Sequence, residues 1–395
     1  MPKTARKGHS AFRFPWRSGH RFQLLVDGRE FYTAMLERIA RARRYVLLEM
    51  YLFESGRVAD RFIDALVTAR QKDVQVYLLL DAFGSLWLRK KDRRRLLAAG
   101  VLLAFYNPLK TLRLHRNLFR NHRKLLVVDG LVAYTGGAGI TDAFDPGERP
   151  DGFWHEAMIE VCGPNVTDWE TLFIETWQRW SNEPLVLETP REVPFFPGGP
   201  AGRVVMHGHI MSPSEIIRSY VSHMRRARQR VWLATAYFVP PWKLRRALRH
   251  AARRGNDVRL MLPGPHTDLP GVRHMSSRYY EKMLFNGIRV FEYQPRFLHA
   301  KVLLCDNWVS IGSCNADRWN YHWNLEANQE IKDPELIAKM QALFEADFAY
   351  CREFDYHLWR IRPRLQRLRE DLLGQLMRLL QWFSTLKRHR RGPED

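Results

Sequence analysis

Asn121-His122-Arg123-Lys124-Leu125-Leu126-Val127-Val128-Asp129-Gly130 and Leu298-His299-Ala300-Lys301-Val302-Leu303-Leu304-Cys305-Asp306-Asn307 are two copies of one pattern, His-x-Lys-x-x-x-x-Asp. Each copy runs into a turn of small residues, Gly136-Gly137-Ala138-Gly139 in the first and Gly312-Ser313-Cys314-Asn315 in the second. Each motif is predicted to open a strand. Side chains alternate along a strand, so His122 and Lys124 share a face, as do His299 and Lys301. An imidazole beside an ammonium suits a phosphate. Two histidines divide the work of phosphoryl transfer: one, neutral, attacks phosphorus, and the other, protonated, gives its proton to the leaving oxygen. Two lysines neutralise the phosphate oxygens as charge develops. This chemistry requires no metal, and the chain carries neither His-Glu-x-x-His nor a carboxylate cluster, so no cofactor is expected. Asp129 and Asp306 lie an odd step beyond their lysines and head hairpin turns, which makes turn support their physical default.

Outward from these motifs the chain reads as two similar halves. In the first, a helix (31–43) leads to a strand (45–51), a second helix (59–71) to another strand (74–80), and a basic helix to a strand ending at Phe105-Tyr106; a hairpin turns at Asp129-Gly130. The second half repeats this order. Ser212-Pro213-Ser214-Glu215 reads as a capping box with proline at the first helical position. Strands follow at 231–237, 258–262 and 288–293, and a hairpin at Asp306-Asn307. Strands alternating with helices predict an α/β fold of two pseudo-symmetric halves, each a mixed sheet flanked by helices. Pro194-Phe195-Phe196-Pro197-Gly198-Gly199-Pro200-Ala201-Gly202 predicts a linker, residues 193–203, between a half at 1–192 and a half at 204–355.

Residues 356–395 have no counterpart in the first half. Leu365, Leu368, Leu372, Leu376, Leu379, Phe383 and Leu386 fall on one helical face, among Arg364, Arg367, Arg369, Arg378, Lys387 and Arg388. A basic amphipathic helix is expected, either docked on the body or lying in a headgroup layer. The stretch Leu109–Arg120 interleaves leucines with cations and reads as a lip at the site mouth.

Composition limits the partners. In 395 residues, 63 Lys and Arg against 42 Asp and Glu leave a net charge of +21, which attracts a polyanion, either nucleic acid or an anionic lipid surface. Apolar residues make up 46%, which excludes a disordered or collagen-like chain. Cys162, Cys305, Cys314 and Cys351 form no Cys-x-x-Cys, so neither a disulfide scaffold nor a thiolate zinc site is supported. The longest mostly apolar runs reach about half of the ~20 residues that cross a bilayer, and the basic N-terminus has no apolar core for export. Contact with a membrane is therefore expected from one side only.

The duplicated motif resembles the phospholipase D superfamily, over about Phe14 to Phe348. Within it, the surrounding segments are similar to bacterial cardiolipin synthases of the short type without N-terminal spans. Those segments are Tyr51 with Asp81-Ala82-Phe83-Gly84-Ser85, Asn117 to Lys124, Thr235-Ala236-Tyr237-Phe238-Val239-Pro240, Tyr279-Tyr280, Glu292-Tyr293-Gln294-Pro295 and Asn324-Leu325-Glu326. The resemblance implies two-step transfer: a phosphatidyl group passes to one histidine, then to a hydroxyl of phosphatidylglycerol, giving cardiolipin and glycerol. It implies a catalytic set of His122, Lys124, Asp129, His299, Lys301 and Asp306, with His122 the expected nucleophile, His299 the acid and then base, and the reverse assignment open. Glu156, where the family usually has Asp, and Glu326 in the matching slot would orient imidazoles, and Asn315 would contact phosphate. Gly139 departs from the family, which commonly has Asn there. The implied partner is an anionic phospholipid membrane of phosphatidylglycerol and cardiolipin, met peripherally at the bacterial inner membrane, on its cytoplasmic face. Competing readings are a hydrolytic phospholipase D or nuclease, and a lipid-binding module without turnover. No nucleic acid is expected, because the aromatics lack base-stacking spacing.

Overall fold

A computed structural model of the chain describes residues 12–110, 114–145, 147, 152–187, 193–208 and 214–363. The first half builds a seven-stranded mixed sheet in the order Arg21–Val26, Ala157–Cys162, Val132–Gly136, Lys124–Val128, Tyr45–Met50, Gln75–Asp81, Leu102–Tyr106. The second half repeats that order with Ala201–His207, Asn324–Lys332, Trp308–Gly312, Val302–Cys305, Arg230–Ala234, Asp257–Pro263 and Arg289–Tyr293, and adds Cys351–Glu353 at its far edge. In both sheets the last three strands are parallel, as helix crossovers require, and the motif strand runs antiparallel beside them.

The amphipathic patterns explain the layering. Helices Asp27–Ala40 and Arg57–Gln71 bury Phe31, Met35, Ile39, Phe62 and Leu66 against the outer face of the first sheet. Glu215–Arg226 and Trp242–Arg253 do the same on the second with Ile216, Tyr220, Leu244 and Leu248. The inner faces of both sheets share one core with helices Asn165–Trp180 and Pro334–Ala349, through Trp169, Phe173, Trp177, Met340 and Phe344. Trp169 lies wholly inside and donates its indole N–H to Gln329 of the opposite half at 2.9 Å.

The sequence reading needs four corrections. The linker ends early: Ala201 and Gly202 already belong to a strand, pairing with Lys332 and Ile331, and Gly202 exchanges main-chain hydrogen bonds with Arg17 at 2.8 and 2.9 Å. A side chain does not fit at position 202, where a Cβ would meet Asn165 and Phe22 at 2.6 and 2.7 Å. Second, helix Glu215–Arg226 is capped by Ser214, whose hydroxyl accepts from the Ile217 N–H. Third, the first motif strand begins at Lys124, one residue before the expected Leu125, whereas the second spans Val302–Cys305 as expected. Fourth, helix Tyr356–Arg360 stops at Ile361, two residues before Pro363. The expected helical face from Leu365 to Leu386 lies outside the described residues. Among the described residues no helix is long and apolar enough to cross a membrane.

Candidate active site

The register places the motif. Met50 pairs with Lys124 and Ala234 with Val302, so both motifs enter at the carboxyl ends of the neighbouring parallel strands, where α/β sheets generally bind ligands. Asp129 and Asp306 sit at the opposite ends of the same strands. The carboxylate of Asp129 accepts from the backbone N–H groups of Arg43, Arg44 and Tyr45 at 2.9–3.0 Å. That of Asp306 accepts from Arg228, Gln229 and Arg230 at 2.8–3.1 Å. Both adopt left-handed backbone, φ +57° and +45°, which Asp tolerates in a tight turn. Both stand at the end of the motif strand away from its histidine and cap the approach of a parallel strand, the turn support that is their physical default.

At that end the two halves exchange their main chains. His122 donates its N–H to Leu325 O at 3.0 Å, continuing a parallel pairing of Arg120–Asn121 with Asn324–Leu325. His299 donates to His155 O, and His155 to Phe297 O, each at 2.8 Å. These cross-half bonds explain why the histidines lie just outside their own ladders.

The side chains cross as well. His122 Nδ1 lies 2.9 and 3.1 Å from the two carboxylate oxygens of Glu326. His299 Nδ1 lies 2.6 Å from Glu156 Oε2. Each histidine is thus oriented by a carboxylate from the other half, which holds Nδ1–H and turns Nε2 outward. Ser313 steadies Glu326 by donating to it at 2.5 Å. Its counterpart Gly137 has no room for a side chain, because a Cβ would collide with the Glu156 carboxylate. Lys301 Nζ reaches Glu156 at 3.5 Å, and Lys124 Nζ lies 5.1 Å from the centre of the Tyr51 ring. Tyr51 also stands edge-on to His122 at 4.8 Å, while Trp154, Phe144 and Phe297 wall His299 at 5.1–5.5 Å.

Burial dominates the electrostatics. It lowers the pKa of His122, against an opposing push from the Glu326 charge. It lowers that of His299 much further, helped by the charges of Lys301, Lys124 and His122. Burial also brings Lys124 down to about 7, lowers Lys301, and raises Glu156 to about 7. A site so deprived of water favours neutral forms until an anion arrives.

Asn315 is fully buried, and neither amide atom has a hydrogen-bond partner among the described residues. A buried amide left open at a catalytic cleft suits a ligand oxygen. In the first half that amide is missing for a steric reason: a Cβ on Gly139 would stand 2.7 Å from both Leu52 Cβ and Leu52 O.

One cluster escaped sequence reasoning. His155 donates from Nδ1 to Asp27 and from Nε2 to Asp347, each at 2.9 Å, and Arg296 reaches Asp27 at 2.6 Å. Asp27 also accepts from the Glu156 N–H at 3.2 Å and donates its own N–H to Glu156 O at 2.9 Å. The cluster thereby fixes the backbone of Glu156 from both sides. Its two carboxylates hold the His155 pKa up, at about 9, against burial. Neighbourhood to Glu156 was the only available signal, because Asp27, Arg296 and Asp347 are scattered in sequence. Among the described residues no group of three or more His, Cys, Asp or Glu is arranged to hold a metal ion.

The sequence matches the family described as cardiolipin synthase, PLD-like domain, over residues 35–144 and 220–348. Cardiolipin synthase B of Salmonella typhimurium is 34% identical over 331 residues, which are 80% of this chain and 78% of that protein. The major cardiolipin synthase ClsA of Bacillus subtilis is 30% identical over 364 residues, 90% of this chain and 75% of that one. The probable cardiolipin synthase YwiE of the same organism is 31% identical over 82% of this chain, and the match spans 65% of its length. Among solved structures, the phosphatidylserine synthase of Haemophilus influenzae superposes with a TM-score of 0.72 at 14% identity, covering 95% of this chain and 96% of that one, which establishes the fold. The chain belongs to the cardiolipin synthase family of PLD-like proteins.

Proposed function

We propose that this protein is a phosphatidyltransferase that makes cardiolipin from two molecules of phosphatidylglycerol, releasing glycerol, at the surface of an anionic membrane that it meets peripherally. The observation that carries the reading is the crossed pair: two buried histidines, each held at Nδ1 by a carboxylate of the other half, with a lysine beside each. The relatives named cardiolipin synthase support the substrate.

Electrostatics refine the roles. The sequence alone favours His122 as nucleophile; the charges favour the reverse. His299 is kept neutral by burial and neighbouring cations, as attack requires. Burial lowers the pKa of His122 too, but there the Glu326 charge opposes the shift, which favours His122 over His299 as the ring that becomes an imidazolium. His299 Nε2 attacks phosphorus, the bond from phosphorus to the glycerol oxygen breaks, and His122 supplies the proton to that oxygen. A hydroxyl of the second phosphatidylglycerol then gives its proton to His122 and attacks phosphorus, and His299 leaves. Lys124, Lys301 and the Asn315 amide take the phosphate oxygens.

The test is product analysis with pure protein and one substrate at a time. Cardiolipin with equimolar glycerol from phosphatidylglycerol supports the reading. Phosphatidic acid alone makes it a hydrolase, cleavage of a DNA oligonucleotide makes it a nuclease, and binding without turnover makes it a lipid-binding module.

A further inference from the structure

Large apolar side chains left in water are ordinary when scattered and informative when gathered. Here several gather at one end. Phe83, Leu86 and Trp87 lie on the loop after strand Gln75–Asp81, and Trp87 is 75% exposed. Trp242, 52% exposed, and Leu269 follow the carboxyl ends of strands Arg230–Ala234 and Asp257–Pro263 in the other half. These are the strand ends at which the catalytic motifs enter.

Both loops are tied to residues that neighbour the motif histidines. Asp81 accepts from the N–H groups of Phe83 and Gly84 and from that of Asn121, the residue before His122, at 2.9–3.0 Å. A Cβ on Gly84 would collide with Tyr51 O, so the loop lies directly on the tyrosine that contacts His122. Across the cleft, Tyr237 donates to Asp268 at 2.5 Å, next to Leu269, and its ring stands 6.5 Å from Phe297, which walls His299. Cations surround the apolar tips. Arg89, Lys90, Lys91 and Arg94 are exposed, and none pairs with a carboxylate among the described residues. Lys243 is exposed beside Trp242, and Arg246 lies 5.1 Å from the Trp242 ring centre.

We propose that these two knuckles, Phe83-Leu86-Trp87 and Trp242 with Leu269, are the surface by which the protein docks on an anionic phospholipid bilayer, with the cleft mouth against the lipid. Aromatic and leucine side chains ringed by exposed Arg and Lys match the boundary between headgroups and acyl chains. The placement also solves a transfer problem: the phosphate of a lipid reaches His122 and His299 without the lipid leaving the membrane. The inference deepens the proposed function and rests on it for the choice of a lipid partner; the docking measurement itself needs no turnover.

Co-sedimentation of the full chain with vesicles of phosphatidylglycerol and phosphatidylcholine in equal parts is the test. The Phe83→Ser, Trp87→Ser double variant should bind at least about tenfold more weakly, given about 25 cal/mol per Å² of apolar surface withdrawn from water. Lys90→Gln with Lys91→Gln should weaken binding at low salt and have little effect at high salt. Both variants should keep wild-type thermal stability and wild-type turnover of a soluble short-chain phosphatidylglycerol. Vesicle binding equal to wild type in the Phe83, Trp87 variant overturns the proposal, as does failure of the wild type to bind. Loss of soluble turnover overturns it too, by making the loop part of the catalytic machinery. A shift from dimer to monomer with unchanged vesicle binding overturns it in favour of an interface between copies. Normal vesicle binding without cardiolipin formation refutes the proposed reaction while leaving the docking surface standing.

Discussion

At the scale of single residues, the site is a set of charges that burial suppresses until phosphate arrives. Burial cuts the Lys124 ammonium off from water and brings its pKa down to about 7. Above that pH the free enzyme loses the cation that receives phosphate, and a bound anion restores it. The expected outcome is a kcat/KM that falls as pH rises through about 7, with kcat less affected, read on soluble short-chain substrate; a flat kcat/KM from pH 6 to 9 contradicts it. His155 behaves oppositely. Its pKa is raised from the ordinary value of about 6.5 to about 9, so the folded protein gains stability that is fully present below about 6.5 and is lost as pH rises through about 9. His155→Gln leaves Asp27 and Asp347 facing one another and should cost about 3–5 kcal/mol near pH 6. The gap between variant and wild type should narrow towards pH 9 in denaturant unfolding; a constant gap contradicts the charged clamp. The residues proposed to carry the chemistry were legible because His122, Lys124, His299 and Lys301 are repeated at fixed spacing. His155 was not legible, since its partners come together only in the fold.

At the scale of elements, the motif strand has a working end and a structural end. Asp129 and Asp306 each satisfy three backbone N–H groups where a neighbouring strand begins. Replacing either with Ala strands those donors and should destabilise the protein by about 2–3 kcal/mol. Turnover per folded molecule should stay near wild type; a large fall in kcat without loss of stability would return the aspartates to the catalytic set. Strand alternation and turn chemistry sufficed to expect this role from sequence. The strands Arg21–Val26, Ala157–Cys162 and Ala201–His207 were harder. The last starts inside a Pro/Gly-rich stretch, and pairing with Asn324–Lys332 overrides that local signal. Helix Asn165–Trp180 buries Trp169, Phe173 and Trp177 at the centre of the shared core, where only the packing of the two halves gives that face its partner. Gly139 shows the converse case: the sequence marked a departure, and only the approach of Leu52 explains it.

At the scale of the whole molecule, the paired side chains of the candidate site come from both halves. Glu156 serves His299 and Glu326 serves His122, so each carboxylate acts across the pseudo-two-fold axis. The repeat was readable in the sequence, whereas the crossing was not, because spacing says nothing about which half supplies a partner. Glu156→Gln and Glu326→Gln should each reduce kcat by about 10²–10⁴-fold on soluble substrate with unchanged thermal unfolding, as loss of an imidazole-orienting carboxylate does elsewhere. Near-native kcat in either variant would leave the crossed arrangement a packing feature. The central claim is that transfer passes through a covalent histidine. Millisecond acid or base quenching during turnover of short-chain phosphatidylglycerol, followed by peptide mass spectrometry, tests it most directly. The account predicts a phosphatidyl adduct on the peptide bearing His299, formed and consumed at the rate of cardiolipin production and absent from His299→Ala. An adduct on any other residue, or none while product accumulates, contradicts it.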